Sequence, residues 1–296
     1  MEIKIEKKPS WLKIKFPTHD NFFIVSNIVK GNGLHTICRS AKCPNVTECW
    51  SHKTATFLIL GDTCTRKCAF CAVKKGKPNG FSSDEPRRIA DAVEAMELNY
   101  VVVTSVTRDD LDDGGAEVFA HTIAEIRSRR PGTKIEVLIP DFQGEKNALD
   151  IVLDANPEVL NHNLETTRPM YPNINRPVEN YGRSLEVLER AHKGGAVTKS
   201  GLMVGLGEGL EEIIQAFSDL RGVSVNLLTI GQYLQPTRNH APVRKYYTPA
   251  EFKQLKNIAL DFGFDDVESG PLVRSSYRAH KLYNSVNGKP NGTQNT

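Results

Sequence analysis

The sequence predicts an α/β fold: a partial (βα)6 parallel barrel with an N-terminal cysteine-bearing arm and a short C-terminal extension. Short, nearly all-apolar runs rich in β-branched residues recur from Thr54 onward, as expected for parallel strands covered on both faces. Helical stripes fill the gaps between them. Six such units occupy roughly 200 residues, whereas a closed eight-unit barrel takes about 250. A doubly wound open sheet is the alternative. Either arrangement puts the chemistry at the C-terminal ends of the strands.

Residues 1–53 read as an arm with little repeating pattern. Lys4, Lys7, Lys8, Lys13 and Lys15 alternate there with Trp11, Ile14 and Phe16, the pattern of a solvated face on a packed arm. Residues 54–270 make the barrel, with strands expected at Thr54–Leu60, Tyr100–Ser105, Ile135–Pro140, Glu158–Asn163, Gly201–Leu206 and Val225–Ile230. Ile89, Val93 and Met96 form one helical stripe after Pro86, a residue favoured in a first turn. Val118, Ile123 and Ile126 form a second stripe. A last helix is expected after Thr248, where Pro249 and Glu251 complete a capping-box pattern and Phe252, Leu255, Ile258 and Ala259 keep the helical period. Residues 271–296 are the extension, and its final stretch, polar and rich in Gly and Asn, reads as a disordered tail.

Composition narrows the function. With 39% hydrophobic and 25% charged residues, the 296-residue chain is ordinary for a soluble globular protein. A formal net charge of +3 implies no general affinity for nucleic acid or membrane surfaces. The chain has no apolar run near the roughly 20 residues that span a bilayer, and its charged N-terminus lacks a secretion signal. The expected location is the cytoplasm, where thiols stay reduced. The six cysteines are therefore read as metal ligands or catalysts.

All six fall between positions 38 and 71, in two triplets. The second, Cys64-Thr-Arg-Lys-Cys68-Ala-Phe-Cys71, directly follows the first strand. Three thiolates at this spacing can hold three corners of a cubane iron–sulfur cluster and leave the fourth iron open to a substrate. A closed zinc site usually wants four ligands, and neither a second CxxC pair nor a histidine at knuckle spacing supplies the fourth. The first triplet, Cys38, Cys43 and Cys49, has the spacing Cys-x4-Cys-x5-Cys, which is too irregular for a zinc ribbon. Polar residues at expected strand ends are candidates for binding a cofactor: Thr104, Ser105, Asn163 and Glu165, with Met203 and Gly205 at the end of the fifth strand. Arg176 and Arg183 suit a carboxylate, although ordinary surface ion pairs read equally well. Phe70 either covers the cofactor or simply packs.

Cys-x3-Cys-x-Phe-Cys resembles the signature of the radical S-adenosylmethionine superfamily. That resemblance implies that S-adenosylmethionine chelates the open iron and is cleaved to a 5′-deoxyadenosyl radical. The run from Gly201 to Glu208 is similar to the superfamily's glycine-rich element near the adenine. The first triplet resembles, more narrowly, the auxiliary-cluster cysteines of the lipoyl synthase family. So do Lys8-Pro-Ser-Trp-Leu, Glu48-Cys-Trp, Gly61-Asp-Thr-Cys, Thr104 through Leu111 with Asp113-Gly-Gly, Asn161 through Thr166, Gly231 through Thr237 and Gly270-Pro-Leu-Val-Arg-Ser-Ser-Tyr277. The match runs from about position 8 to about 283. Two positions depart from the pattern: Thr107, where Asp is expected, and Ala241, where Leu is expected.

The resemblance implies two [4Fe–4S] clusters. Cys64, Cys68 and Cys71 would hold the radical-generating one. Cys38, Cys43, Cys49 and a serine of the Arg-Ser-Ser-Tyr motif would hold an auxiliary one that is sacrificed for its sulfur. The serine is Ser275, with Ser276 the less favoured choice, and Arg274 beside it is a candidate catalytic residue. A hard oxygen on a soft iron–sulfide site is a poor ligand and leaves readily. The implied reaction inserts sulfur at C6 and C8 of an octanoyl chain on a carrier lysine, with two molecules of S-adenosylmethionine. The implied partners are an octanoylated lipoyl carrier domain or glycine-cleavage H-type protein, an electron donor such as flavodoxin or ferredoxin, and an iron–sulfur carrier for repair. Another sulfur-inserting radical enzyme is the competing reading, and a non-enzymatic iron–sulfur or zinc protein is the third.

Overall fold

Seven parallel strands form the wall of the fold in a computed structural model, which describes residues 8–14 and 19–287. They are β1 (Thr56–Ile59), β2 (Tyr100–Ser105), β3 (Lys134–Leu138), β4 (Val159–Asn161), β5 (Thr198–Val204), β6 (Leu227–Gln232) and β7 (Asp266–Gly270). Each pairs in parallel with the strand before it, so spatial order follows chain order. A two-residue strand, His35–Thr36, adds antiparallel to the free edge of β1. The wall begins at that edge and ends at β7, which makes it an open, partial barrel.

The six expected strands all form, within three residues of their expected bounds. β7 was not expected. Its sequence, Asp-Val-Glu-Ser-Gly, offers one apolar residue, Val267, which is fully buried opposite Leu228 of β6. Strand formation there comes from the unpaired edge of β6, which a periodicity argument does not see.

The arm also departs from expectation. Residues Asp20–Gly31 form a helix whose Val25 and Val29 enter the main core, and the Phe22 ring lies 5.4 Å from that of Trp50. Its buried stripe is Val25 and Val29, while Phe23 and Ile24 stay exposed and blur the helical period in the sequence. Trp11 and Ile14 are exposed and Leu12 is buried, while Lys4, Lys7, Lys15 and Phe16 lie outside the described residues. At the other end a helix, Ala279–Asn287, occupies the start of the expected disordered tail. The rest of that tail, 288–296, lies outside the described residues.

The expected helices form as their signals required. Glu85–Ala95 starts with Pro86 and buries Ile89 and Val93, and Ala116–Arg129 buries Val118, Ile123 and Ile126. Before Pro249–Asp261, the Glu251 amide donates to Thr248 Oγ1 (3.2 Å) and the Thr248 amide donates to Glu251 Oε2 (2.8 Å), a complete capping box.

The lower barrel interior is polar. Lys199 Nζ donates to both oxygens of Glu136 (2.9 and 3.1 Å), and both side chains are fully buried. Tyr100 Oη (2.7 Å) and Asn161 Nδ2 (3.0 Å) donate to the same carboxylate. A buried ion pair is tolerable only when its lone pairs are filled in this way. The network ties β2, β3, β4 and β5 together beneath the site.

Candidate active site

The loop after β1 brings Cys64, Cys68 and Cys71 to the C-terminal mouth of the barrel. Arg66, inside that loop, pins it to the strand ends. The guanidinium donates to both oxygens of Asp109 (2.8 Å each) and to Asp141 Oδ1 (2.6 Å). Arg66 holds the Asp141 carboxyl down to about pKa 2 despite its burial. Thr65 adds two bonds to the Thr107 carbonyl, 3.0 Å each from its amide and hydroxyl. This contact uses the Thr107 backbone and so does not depend on the side chain at that position. Ala241 is likewise engaged through its amide, which donates to the Ala69 carbonyl at 2.9 Å.

The first triplet is carried by two short helices, with Cys38 in Ile37–Ser40, Cys43 in the turn after it, and Cys49 in Val46–Ser51. All six cysteines are free thiols. Burial pushes Cys38 up to about 11 and Cys71 up to about 12, with neighbouring thiols adding to the shift, and it raises Cys43, Cys49 and Cys68 as well. Buried thiolates need cationic partners to exist at neutral pH. Among the described residues no three His, Cys, Asp or Glu side chains are gathered tightly enough for one metal ion. A cubane cluster takes each thiolate on a separate iron, so its cysteines stand farther apart than the ligands of a single ion. The donor set fits clusters.

The C-terminal motif closes over this region. Asn163 Nδ2 donates to Ser275 Oγ at 3.0 Å. Glu48, next to Cys49, accepts from Tyr277 Oη (2.8 Å) and Arg278 (3.3 Å), and Asn45 donates to the Leu272 carbonyl (2.6 Å). The first-triplet helices and the motif are thereby stitched together. Close approach depends on Gly231 at the end of β6, where a Cβ would stand 2.2 Å from the Val273 carbonyl oxygen. Arg274 is half-buried beside Cys43, which opposes the downward pull of desolvation on its pKa. Ser276 lines the space beside Arg274 and Ser275 and also a separate crevice beside Tyr100 and His280.

One cavity of about 410 Å³ takes its walls from both triplets and from the motif, through Cys43, Cys71, Arg274 and Ser275. A second, smaller one of about 160 Å³ lies against Cys64, Cys68 and Cys71. Thr104, Asn163, Glu165 and Phe70 line both. Four buried polar atoms here lack a hydrogen-bond partner among the described residues: Ser105 Oγ, Asp141 Oδ2, Asn163 Oδ1 and Arg176 Nε. Such atoms are costly unless a ligand meets them. Glu165 sits at a positive φ of 74°, and burial raises its carboxyl to about 7 against the pull of Arg176. These are the marks of a site built for a polar, charged molecule.

Not every expected residue offers a free polar group to that space. Thr104 Oγ1 is committed to the Leu138 carbonyl (2.8 Å). Met203 lines the larger cavity and packs with Ile174, Leu206 and Tyr233. Gly205 lines neither cavity, because its missing Cβ makes room for Gln232 and the Lys245 carbonyl. Arg183 donates to Asn180 Oδ1 (3.1 Å) and lies 3.8 Å from Asp141, outside both cavities. Glu208 turns back to accept from the amides of Gly205, Leu206 and Gly207 (2.5, 2.8 and 3.0 Å), so it shapes the turn. Two contacts on the cysteine loop were not anticipated: Lys75 Nζ donates to the Cys68 carbonyl (2.9 Å), and His240 Nε2 meets the Cys71 carbonyl (3.0 Å). Lys75 lies in a plain lysine run with no sequence signal. His240 lies between Thr237, the end of a matched run, and Ala241, but nothing in the sequence tells which atom it meets.

The fold matches solved structures at low identity. Methylornithine synthase superposes with a TM-score of 0.52 at 12% identity, over 72% of this chain and 70% of that one. The hydrogenase maturase HydG from Carboxydothermus hydrogenoformans gives 0.56 at 15%, over 82% and 64%. Residues 58–220 match the model of the Radical SAM superfamily, and the chain belongs to that class. The relationship is closer within it. The lipoyl synthase of Koribacter versatilis is 54% identical over 94% of this chain and 92% of its own. That of Bacillus cereus strain ATCC 14579 is 50% identical over 99% of both. The chain is a member of the lipoyl synthase family, a sulfurtransferase that uses two [4Fe–4S] clusters and S-adenosylmethionine. Among the described residues no helix is long and apolar enough to cross a membrane.

Proposed function

We propose that the larger cavity is where sulfur enters the octanoyl chain, with the two cysteine triplets dividing the work. Cys64, Cys68 and Cys71 hold the cluster that engages S-adenosylmethionine, and Cys38, Cys43, Cys49 and Ser275 hold the sulfur donor. The observation that carries this reading is the shared cavity, lined by Cys71 of one triplet and by Cys43 of the other with Arg274 and Ser275. A carbon chain lying between them would face the radical source and the sulfur source together.

When bound, the cofactors supply a 5′-deoxyadenosyl radical that removes hydrogen at C6 and C8 and a sulfide that replaces it. The protein's part is placement. Ser105, Asn163, Glu165 and Arg176 offer the polar groups for S-adenosylmethionine, and Glu165 suits its ammonium. Met203 and Phe70 give the apolar wall that a hydrocarbon needs. Asn163 orients Ser275, whose oxygen is the replaceable ligand.

The protein substrate is an octanoylated lipoyl carrier domain or glycine-cleavage H-type protein. The reaction also draws on an electron donor of the flavodoxin or ferredoxin kind and an iron–sulfur carrier that rebuilds the spent cluster. The free thiols suit the reducing cytoplasm. Anaerobic incubation with S-adenosylmethionine, dithionite and an octanoyl-lysine peptide tests the reading. Mass spectrometry should find a singly and then a doubly thiolated peptide, with two 5′-deoxyadenosines for each doubly thiolated product. Cleavage of S-adenosylmethionine with no thiolated peptide would refute it.

A further inference from the structure

Charge is distributed unevenly around the Cys64–Cys71 loop. Three segments meet there: 63–78, 166–178 and 233–247. The Ala69 amide donates to the Ile174 carbonyl (2.8 Å), the Ala241 amide donates to the Ala69 carbonyl (2.9 Å), and Asn175 Nδ2 donates to the Lys67 carbonyl (2.9 Å). A small apolar cluster of Ile174, Leu206 and Tyr233, with Phe70, Ala241 and Val243 against it, locks the segments together. Ten of the chain's 38 Lys and Arg fall in these 44 residues, and none of its 35 Asp and Glu does. At the chain's average density about five acidic residues would be expected in these segments, and the carboxylates nearest them, Asp62, Glu212 and Glu251, come from outside.

Some of the positive charge is used locally. Arg66 is bound to Asp109 and Asp141, Lys74 lies near Asp62, and Lys245 pairs with Glu251. Lys67, Arg168, Arg238 and Arg244 are exposed, and the ion pairs among the described residues leave all four without a carboxylate. Lys67 adjoins Cys68, and Arg238 is two residues from His240, whose ring meets the Cys71 carbonyl. Lys67 and Arg238 therefore lie beside the cysteine loop, and Arg168 and Arg244 stand on the segments packed against it. The larger cavity is lined from these segments by Phe70, Cys71, Ala72, Tyr233 and Pro236, and from outside them by Lys42, Pro44 and Ser275, while Lys67, Arg168, Arg238 and Arg244 line no part of it.

We propose that this face docks an acidic one-electron carrier protein of the ferredoxin type, which delivers the electron for S-adenosylmethionine cleavage. The proposal rests on the reading that Cys64, Cys68 and Cys71 hold the radical-generating cluster. One electron leaves the reduced carrier and enters that cluster, with no bond made and no proton moved. Complementary charge speeds encounter and fixes orientation, and exposed Lys67, next to Cys68, puts a docked carrier beside the loop.

The test uses the cluster-loaded enzyme and an Arg168→Glu/Arg238→Glu variant. 5′-Deoxyadenosine formation is measured with dithionite, which needs no docking, and with a reduced acidic [2Fe–2S] ferredoxin at low ionic strength. Stopped-flow bleaching follows electron arrival separately. The variant should keep the dithionite rate within about twofold and lose roughly tenfold in the ferredoxin rate and in bleaching. The wild-type advantage should shrink as salt rises. Equal ferredoxin rates would overturn the proposal, as would equal losses with both reductants, which would place the two arginines in the site itself. A raised KM for the octanoylated domain with an unchanged ferredoxin rate would assign the face to the substrate carrier instead. If wild type forms no 5′-deoxyadenosine with either reductant, the reading of the cysteine loop fails, and the bleaching rates still decide the docking.

Discussion

The side-chain amide of Asn163 donates to the hydroxyl of Ser275 across 3.0 Å, joining two residues 112 positions apart. This bond fastens the C-terminal motif to the loop after β4, between the two cysteine triplets. It also places the hardest donor proposed for either cluster within reach of a residue proposed to touch S-adenosylmethionine.

Substitutions at this pair should affect reactivity more than cluster content. Ser275→Ala should retain much of the first-triplet cluster on three thiolates yet lose formation of the second C–S bond. Ser275→Cys should hold the cluster more tightly and donate sulfur poorly, because a thiolate leaves iron less readily. Asn163→Ala removes the orienting bond, worth about 1 kcal/mol, and should slow the second insertion up to roughly tenfold. The singly and doubly thiolated products, quantified by mass spectrometry with iron content, check all three. Wild-type yields of both products from the two Ser275 variants would move the ligand role to Ser276 or to a solvent oxygen.

The two triplets should be separable. Cys68→Ala is expected to abolish S-adenosylmethionine cleavage while keeping about half the iron, because the first triplet is untouched. Cys43→Ala should also lose about half the iron and stop sulfur insertion, but continue to form 5′-deoxyadenosine. Persistent 5′-deoxyadenosine from Cys68→Ala would disprove the division of labour.

Gly231→Ala tests the close approach of the motif. The new Cβ would meet the Val273 carbonyl at 2.2 Å, a contact with backbone that has no rotamer to yield. The motif should shift outward, lowering the doubly thiolated yield before it lowers S-adenosylmethionine cleavage. A fall in cleavage equal to the fall in product would point instead to general damage to the barrel.

His162 makes stability depend on pH. Burial lowers its pKa to about 4, and the ring is held by the Ile139 carbonyl (2.9 Å) and Ser184 Oγ (3.0 Å), with Asp141 opposing the shift and Arg176 and Arg66 reinforcing it. The folded ring stays neutral where the unfolded one, with pKa near 6.5, takes a proton. Stability is therefore full above about 6.5 and falls as pH drops toward 4, by about 2 kcal/mol at pH 5. Urea midpoints at pH 7 and 5 should converge for His162→Gln and separate for wild type. An equal separation in both would assign the effect to carboxylates.

The parallel-strand scaffold was legible because strands buried on both faces need unbroken apolar runs, and Tyr100–Ser105 reads no other way. The cysteine triplets were legible because ligand spacing within one loop is a local property. The edge strand β7 was not, since Val267 is its sole apolar residue and pairing with β6 supplies the rest. Nor was the fate of individual polar residues at the strand ends. Thr104 and Arg183 carry the same donors as Ser105 and Arg176, yet the first two are taken up by Leu138 and by Asn180 with Asp141, while Ser105 Oγ and Arg176 Nε have no hydrogen-bond partner among the described residues. Composition and spacing determined what chemistry this chain carries. Only the tertiary structure decided which groups face the cavity, because a side chain's availability depends on neighbours that the chain order does not reveal.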